Sequence, residues 1–260
     1  FWPDLVYGAA LLIAAFYALY SFVRNLFGSQ GTGPDVDASV AYEHARQIID
    51  LERTMGLYFE QHLQDWYLDL PAMGLIRVWN IFYGTAHFVV TAGAMLWLFR
   101  RDKARYPRWR NTLGAMTAVA LIGFAGYSLM PPRLLDSTSV YGACRLHSPE
   151  AYEAADPGDI HVPGCDRYGY VDTLAVHGGW VSFEDDRAVE LTNQYAAMPS
   201  MHIGWSVWSA LVLLPMVRRR WARALVVAYP VLTLFTIIVT ANHYWIDAVG
   251  GLVALAVGSA

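Results

Sequence analysis

The stretch ALVVAYPVLTLFTIIVTANHYWIDAVGGLVALAV, residues 224–257, consists of two apolar runs interrupted once, at ANHYWID. It contains no lysine or arginine, and its only ionised or imidazole side chains are Asp247 and His243. A helix needs about 20 mostly apolar residues to cross the roughly 30 Å hydrocarbon layer of a bilayer, at about 1.5 Å per residue. Working outward from these two runs, similar ones are found at 5–27, 75–99, 111–130 and 201–217, and the pair itself covers 221–241 and 243–260. The pattern predicts an all-α polytopic membrane protein with six transmembrane helices, folded as a single domain over residues 1–260. Composition agrees: 56% of residues are hydrophobic and only 15% charged, where a soluble domain carries nearer a quarter. The chain starts at Phe1 and stops inside an apolar run, so both ends read as trimmed.

Charge placement predicts an orientation. The link RRDKARYPRWR, residues 100–110, has six basic residues against Asp102, and the next link of its kind carries Arg218, Arg219, Arg220 and Arg223. The positive-inside rule assigns both links to the cytoplasm. Residues 28–74 carry two arginines against eight acids, and residues 131–199 four against eleven, which places them outside. An integral inner-membrane protein follows, with six passes, both termini cytoplasmic and its chemistry on the outer, periplasmic face.

The outer segments have their own signals. In residues 38–68, Ala41, Ala45, Ile48, Ile49, Met55, Phe59, Leu63 and Trp66 recur near a helical period. Glu43, Arg46, Asp50, Glu52, Arg53, Glu60 and Asp65 form the opposite, polar face, so an amphipathic outer-surface segment is expected. Residues 131–199 are rich in turn signals and read as a cap loop. Both cysteines, Cys144 and Cys165, fall in that loop. In an oxidising compartment they are expected to pair as a disulfide, and two cysteines alone do not make a tetrahedral metal set.

Ionisable residues within apolar runs are functional candidates by default. MPSMHIGWS, residues 198–206, places Ser200 and His202 at the start of the fourth run, and the sixth run starts with His243 and Asp247. The 41 residues between the histidines amount to about 60 Å of helix, one crossing and a return, so both reach one level. Arg133, after Pro131-Pro132 at the end of the third run, arrives there by the same count. His243 and Asp247 are four apart and share a helix face. A carboxylate on one imidazole nitrogen fixes the tautomer and frees the other nitrogen as a nucleophile. A second histidine then serves as general acid, while Ser200, Arg133 and the helix start hold a phosphate. Asn80, Tyr83, Gly84, His87 and Thr91 make a further polar stripe, either an inter-helix seam or a substrate wall, with Tyr83 and His87 as possible contacts.

At these residues the chain resembles the membrane type-2 phosphatidic acid phosphatase superfamily. Pro199, Ser200 and His202 match its Pro-Ser-x-His element, and His243 and Asp247 its His-x-x-x-Asp element. The resemblance implies a phosphohistidine on His243, oriented by Asp247, with His202 protonating the leaving group and no metal required. It departs from the phosphatase pattern where Gly126, Leu134, Thr236 and Ile237 replace expected residues, two of them phosphate-binding cations. Arg77, Arg145, Arg167 and Arg187 are candidate substitutes. The Pro-Pro before Arg133 and the Ala-Asn-His at 241–243 look closer to the inositol phosphotransferase branch, which includes inositol phosphorylceramide synthases, and add Asn242 to the expected substrate contacts. The expected activity is phosphoryl transfer from a phospholipid or polyprenyl phosphate to an inositol-like alcohol or to water. The bilayer, the lipid donor and a polyol acceptor are the expected partners, with no cofactor and no nucleic acid. A haem carrier using His87, His202 and His243, and a non-catalytic lipid-binding protein, are the rival readings.

Overall fold

Gly56 divides the amphipathic segment. With φ at 68° it adopts the left-handed conformation that glycine reaches without a Cβ clash. It separates helix α1, Pro34–Thr54, from α2, Glu60–Leu68. The computed structural model describes residues 34–70, 75–156, 162–179 and 194–260. The buried positions of α1 are Ala38, Ala41, Tyr42, Ala45, Ile48, Ile49 and Glu52, on a repeat of three and four so that they share one face.

The chain continues through α3 (Ile76–Arg101), α4 (Tyr106–Gly126) and a 3-10 turn at Pro132–Leu134. The short helices α5 (Cys144–His147), α6 (Pro149–Ala154) and α7 (Thr173–His177) follow, then α8 (Met201–Leu213), α9 (Arg220–Val239) and α10 (Trp245–Ser259). The fold is all-α, with one isolated parallel bridge, Leu129 to Ala196, among the described residues.

Two apolar groups set the relations between helices. Ala94 and Leu98 of α3, Met116, Ala120 and Phe124 of α4, Trp208 and Val212 of α8, and Ala254 and Leu255 of α10 form one. Glycine makes this packing close. A Cβ on Gly251 would run into the Ser200 carbonyl, and one on Gly258 would stand 2.6 Å from the Met116 nitrogen. In the second group, α1 packs its alanines and isoleucines on Leu129, Met130, Leu134, Leu135, Tyr195 and Tyr244. Backbone hydrogen bonds tie the same region together: Leu129 N to Tyr195 O at 2.7 Å, Arg133 N to Ala241 O at 2.8 Å and Ser200 N to Asp247 O at 2.9 Å.

The six expected transmembrane helices are not found among the described residues. Among the described residues, two helices, Ile76–Arg101 and Arg220–Val239, are long and apolar enough to cross a membrane. The run at 201–217 stops as helix at Leu213, because Pro215 has no N–H to continue the helical hydrogen-bond ladder. The run at 243–260 becomes helical only at Trp245, since Tyr244 is an extended cap with ψ at 156°. Their 13 and 15 residues give about 20–22 Å, short of a ~30 Å layer. Helix α4 has the length, but Arg108, Arg110 and Asn111 dilute its first turns. The run at 5–27 lies outside the described residues. The six-pass inner-membrane localisation and its inside-outside assignment fall with the spans, because the alternation of charge was counted across six of them.

The cap segment is closed by a disulfide between Cys144 and Cys165, with Cα atoms 5.2 Å apart. Within it the Asp136 carboxylate accepts the N–H groups of Tyr168 and Tyr170 at 3.1 Å.

Candidate active site

Three chain segments deliver the site. Helix α9 ends at Val239, and Ala241, at φ 53°, turns the chain so that Asn242 and His243 lead into α10. A non-glycine residue in this region is uncommon and is held there by its surroundings. Here the Arg133 N–H bonds the Ala241 carbonyl at 2.8 Å. Ser200 occupies the N-cap position of α8 with no cap bond from its side chain, and its N–H, bonded to the Asp247 carbonyl, joins the starts of α8 and α10.

The histidines meet at this junction. His243 Nδ1 lies 3.1 Å from Asp247 Oδ2, and His243 Nε2 lies 3.3 Å from His202 Nδ1. Asp247 Oδ2 also accepts the Tyr244 N–H at 3.0 Å. With a carboxylate on that side, Nδ1 of His243 carries the proton and donates it, leaving the lone pair on Nε2. The pair then requires a proton on His202 Nδ1, directed at Nε2 of His243. Asp247 and Ser200 have no exposed surface and His243 only 4%. Burial raises the Asp247 carboxyl above the ordinary carboxylate range, while the bonds from His243 and the Tyr244 N–H pull it back down. Ser200 Oγ is buried with no hydrogen-bonding partner among the described residues.

Helix α3 supplies a wall. Tyr83 stacks on His202, with centroids 4.3 Å apart and planes at 20°, and His87 meets the same ring edge-on at 4.2 Å. His87 Nδ1 is 3.0 Å from the Tyr83 carbonyl. The rest of the polar stripe is seam. Asn80 donates to the Thr173 and Gly178 carbonyls, both at 2.8 Å, and Thr91 pairs with Ser209 at 3.3 Å.

Arg133 sits differently from the free phosphate clamp expected of it. Its guanidinium donates to Asn242 Oδ1 at 3.1 Å, Asp172 Oδ2 at 2.8 Å and Gln194 Oε1 at 2.6 Å. Asn242 in turn donates to the Thr240 hydroxyl at 2.9 Å. Arg133 and Asn242 therefore brace the segment leading to His243, and their bonds do not include either histidine. Beside Arg133 opens a cavity of about 430 Å3 whose wall includes Asp136, Ser137, Thr138, Ser139 and Asp172. Of the substitute cations, Arg77 and Arg167 are exposed, Arg145 lies in α5, and Arg187 is outside the described residues.

Several participants escaped the sequence reading. Asp172 caps α7 by accepting the Leu174 and Ala175 N–H groups, and it also holds Arg133. Glu52 and Glu60, assigned to a solvent face, are fully buried. The amphipathic period of residues 38–68 does not locate the break at Gly56, which turns Glu60 in toward Trp245, whose N–H it accepts at 3.0 Å. Among the described residues no group of three or more His, Cys, Asp or Glu is arranged to hold a metal.

A family model described as the PAP2 superfamily matches residues 46–260, which include every residue of this site. No curated protein and no solved structure matches the chain.

Proposed function

The chain belongs to the PAP2 superfamily, a group of metal-independent phosphatases and transferases, and from that premise we propose that it transfers the phosphoryl group of a lipid phosphate through His243. The observation that carries this reading is the buried relay Asp247–His243–His202, with contacts of 3.1 and 3.3 Å. In the first half-reaction His243 Nε2 attacks phosphorus as the bond to the lipid oxygen breaks. The leaving oxygen takes the proton held by His202, and Asp247 stabilises the imidazolium character that develops on His243. In the second half-reaction an alcohol or water attacks the phosphohistidine, gives its proton to His202 and releases Nε2. Ser200 Oγ and the N–H groups at the start of α8 are the donors suited to the phosphate oxygens.

An alcohol acceptor of the inositol kind is favoured by the cavity beside Arg133, where Ser137, Thr138, Ser139 and the carboxylates of Asp136 and Asp172 line the wall. Hydroxyls and carboxylates can match the alternating donors and acceptors of a polyol. Phospholipid and polyprenyl phosphate donors share the phosphoester that the relay acts on. A haem reading is disfavoured by the ring contacts, since His202 lies 4.2 Å from His87 and 5.3 Å from His243 between centroids, leaving no gap for a macrocycle.

The decisive experiment incubates the purified protein with phosphate-labelled lipids, with and without inositol. The wild type should yield an acid-labile phosphoprotein and either free phosphate or, with inositol present, an inositol phosphate. His243→Ala should abolish both label and turnover, and His202→Ala should lower kcat by about 10²–10⁴-fold, the usual worth of a general acid. Wild-type turnover in His243→Ala would end this mechanism. Headgroup binding without turnover in the wild type would instead identify a non-catalytic lipid-binding protein.

A further inference from the structure

Among the described residues, the acids with no exposed surface are Glu52, Glu60 and Asp247. Asp247 belongs to the relay; the two glutamates do not, and they stand behind it. Glu60 opens α2, and its carboxylate accepts the Phe59 N–H at 2.9 Å and the Trp245 N–H at 3.0 Å. Trp245 is the first residue of α10, and its N–H is one of the donors that a helix start leaves without an internal partner. The indole of Trp245 is held from the same corner, donating to the Leu57 carbonyl at 3.0 Å. The corner between α1 and α2 thus grips α10 between His243 and Asp247.

Glu52 reaches this corner from α1. Neither of its oxygens makes a hydrogen bond of regular geometry; the Glu60 carboxyl and the Ile246 N–H are the groups beside it. Two carboxylates have no donor between them, whereas a proton on one makes it a donor to the other. The other groups facing the pair are Asp247 and the Ile246 backbone from α10, with Tyr58, Tyr170 and Tyr244. The Arg53 guanidinium lies over the Tyr58 ring at 4.8 Å. Among the described residues no cation is bonded to either glutamate, so charge cancellation by such a base does not account for the burial of both.

We propose that Glu52 and Glu60 share one proton, and that this carboxyl pair is a positioning device that fixes the first turn of α10 and with it the His243–Asp247 contact. Glu52 is the protonated donor and Glu60 the anionic acceptor at the helix N-terminus, where the backbone dipoles favour negative charge. Burial, with the Glu60 charge second, pushes the Glu52 carboxyl up to about 10, which agrees with that division. The pair's effect on turnover rests on the function proposed above; its geometric role does not.

The test uses the full chain in two variants and two readouts. Glu52→Gln keeps a donor, since its amide N–H replaces the carboxyl O–H. Glu60→Gln has one carbonyl oxygen where two carboxylate oxygens now serve two N–H groups. The first readout is the NMR resonance of the hydrogen-bonded His243 Nδ1 proton, followed with pH; the second is kcat and KM for the phospholipid donor. The wild-type resonance should decline as pH rises into the alkaline range, and Glu52→Gln should remove that decline; kcat, which at alkaline pH also follows the loss of the His202 proton, is compared near neutral pH. Glu60→Gln should weaken the resonance at every pH and lower kcat about 10- to 100-fold, the range for groups that orient a reactive side chain, with KM little changed. An unaltered resonance and kcat in Glu60→Gln, or a wild-type alkaline decline in Glu52→Gln, would overturn the proposal. Should Glu60→Gln fail to fold, Glu52→Gln decides alone. The resonance needs no turnover, so a wild type that transfers no phosphate would count against the function and leave the pair's role to be judged by NMR.

Discussion

In the proposed transfer, His243 Nε2 has to part from His202 before it reaches phosphorus, because a 3.3 Å contact leaves no room for a phosphoryl group between the rings. The wall of Tyr83 and His87 on the far side of His202 limits where that ring can go, and so defines the position from which it returns the proton. Asp247 has two duties at this scale. It accepts His243 Nδ1–H and the Tyr244 N–H on one oxygen, which sets both the tautomer of the imidazole and the turn that presents it. Asp247→Asn keeps the shape but replaces the carboxylate with an amide whose N–H groups favour the wrong tautomer. We expect kcat to fall by about 10³-fold or more with KM nearly unchanged, as for an interaction made mainly in the transition state. Steady-state kinetics of the variant on the labelled lipid checks this, and a change confined to KM would reassign Asp247 to substrate binding.

Between elements, the site depends on how closely α8 and α10 approach. Gly251 faces the Ser200 carbonyl and Gly204, and Gly204 faces Met116, so the two helix starts touch by backbone. Gly251→Ala should destabilise the protein by about 1–3 kcal/mol, the cost of overpacking, and should lower kcat by separating the histidines. Gly93→Ala, where an added Cβ meets nothing within 4 Å, is the control and should be neutral or stabilising by up to about 1 kcal/mol. Thermal denaturation of the two variants separates packing from mere loss of glycine. The same elements mark what could be read from the sequence. Pro199-Ser200-x-His202 and His243-x-x-x-Asp247 were enough to suggest the superfamily, because a short motif is local and its residues are adjacent on one turn. Helix length was not legible from hydropathy, since Pro215 and the extended Tyr244 shorten apolar runs without making them less apolar. The bracing of Arg133 by Asp172 and Gln194 joins residues 39 and 61 positions apart, a contact that no local pattern encodes.

At the scale of the whole molecule, two acids outside the relay make stability depend on pH in an unusual direction. Burial raises the Glu52 carboxyl from 4.5 to about 10 and raises that of Asp136 against the pull of its backbone N–H bonds. For each group the folded state binds a proton more tightly than the unfolded chain does. Between the two pKa values the folded state therefore holds more protons, and the slope of unfolding free energy with pH is negative. The stabilisation is complete below the unfolded value near 4.5 and is lost as pH rises toward 10. Ordinary salt-bridged carboxylates give the opposite slope. The expectation is a Tm that is higher at pH 5 than at pH 9, with Glu52→Gln flattening the difference because an amide does not titrate. The two contributions can be told apart, since Asp136→Asn should change the profile without altering the alkaline behaviour of the His243 Nδ1 resonance. A wild-type Tm that climbs from pH 5 to pH 9 would mean that both glutamates are ionised in the fold. The start of α10 would then be held against their repulsion, and a donor outside the α1–α2 corner would have to supply what the shared proton now provides.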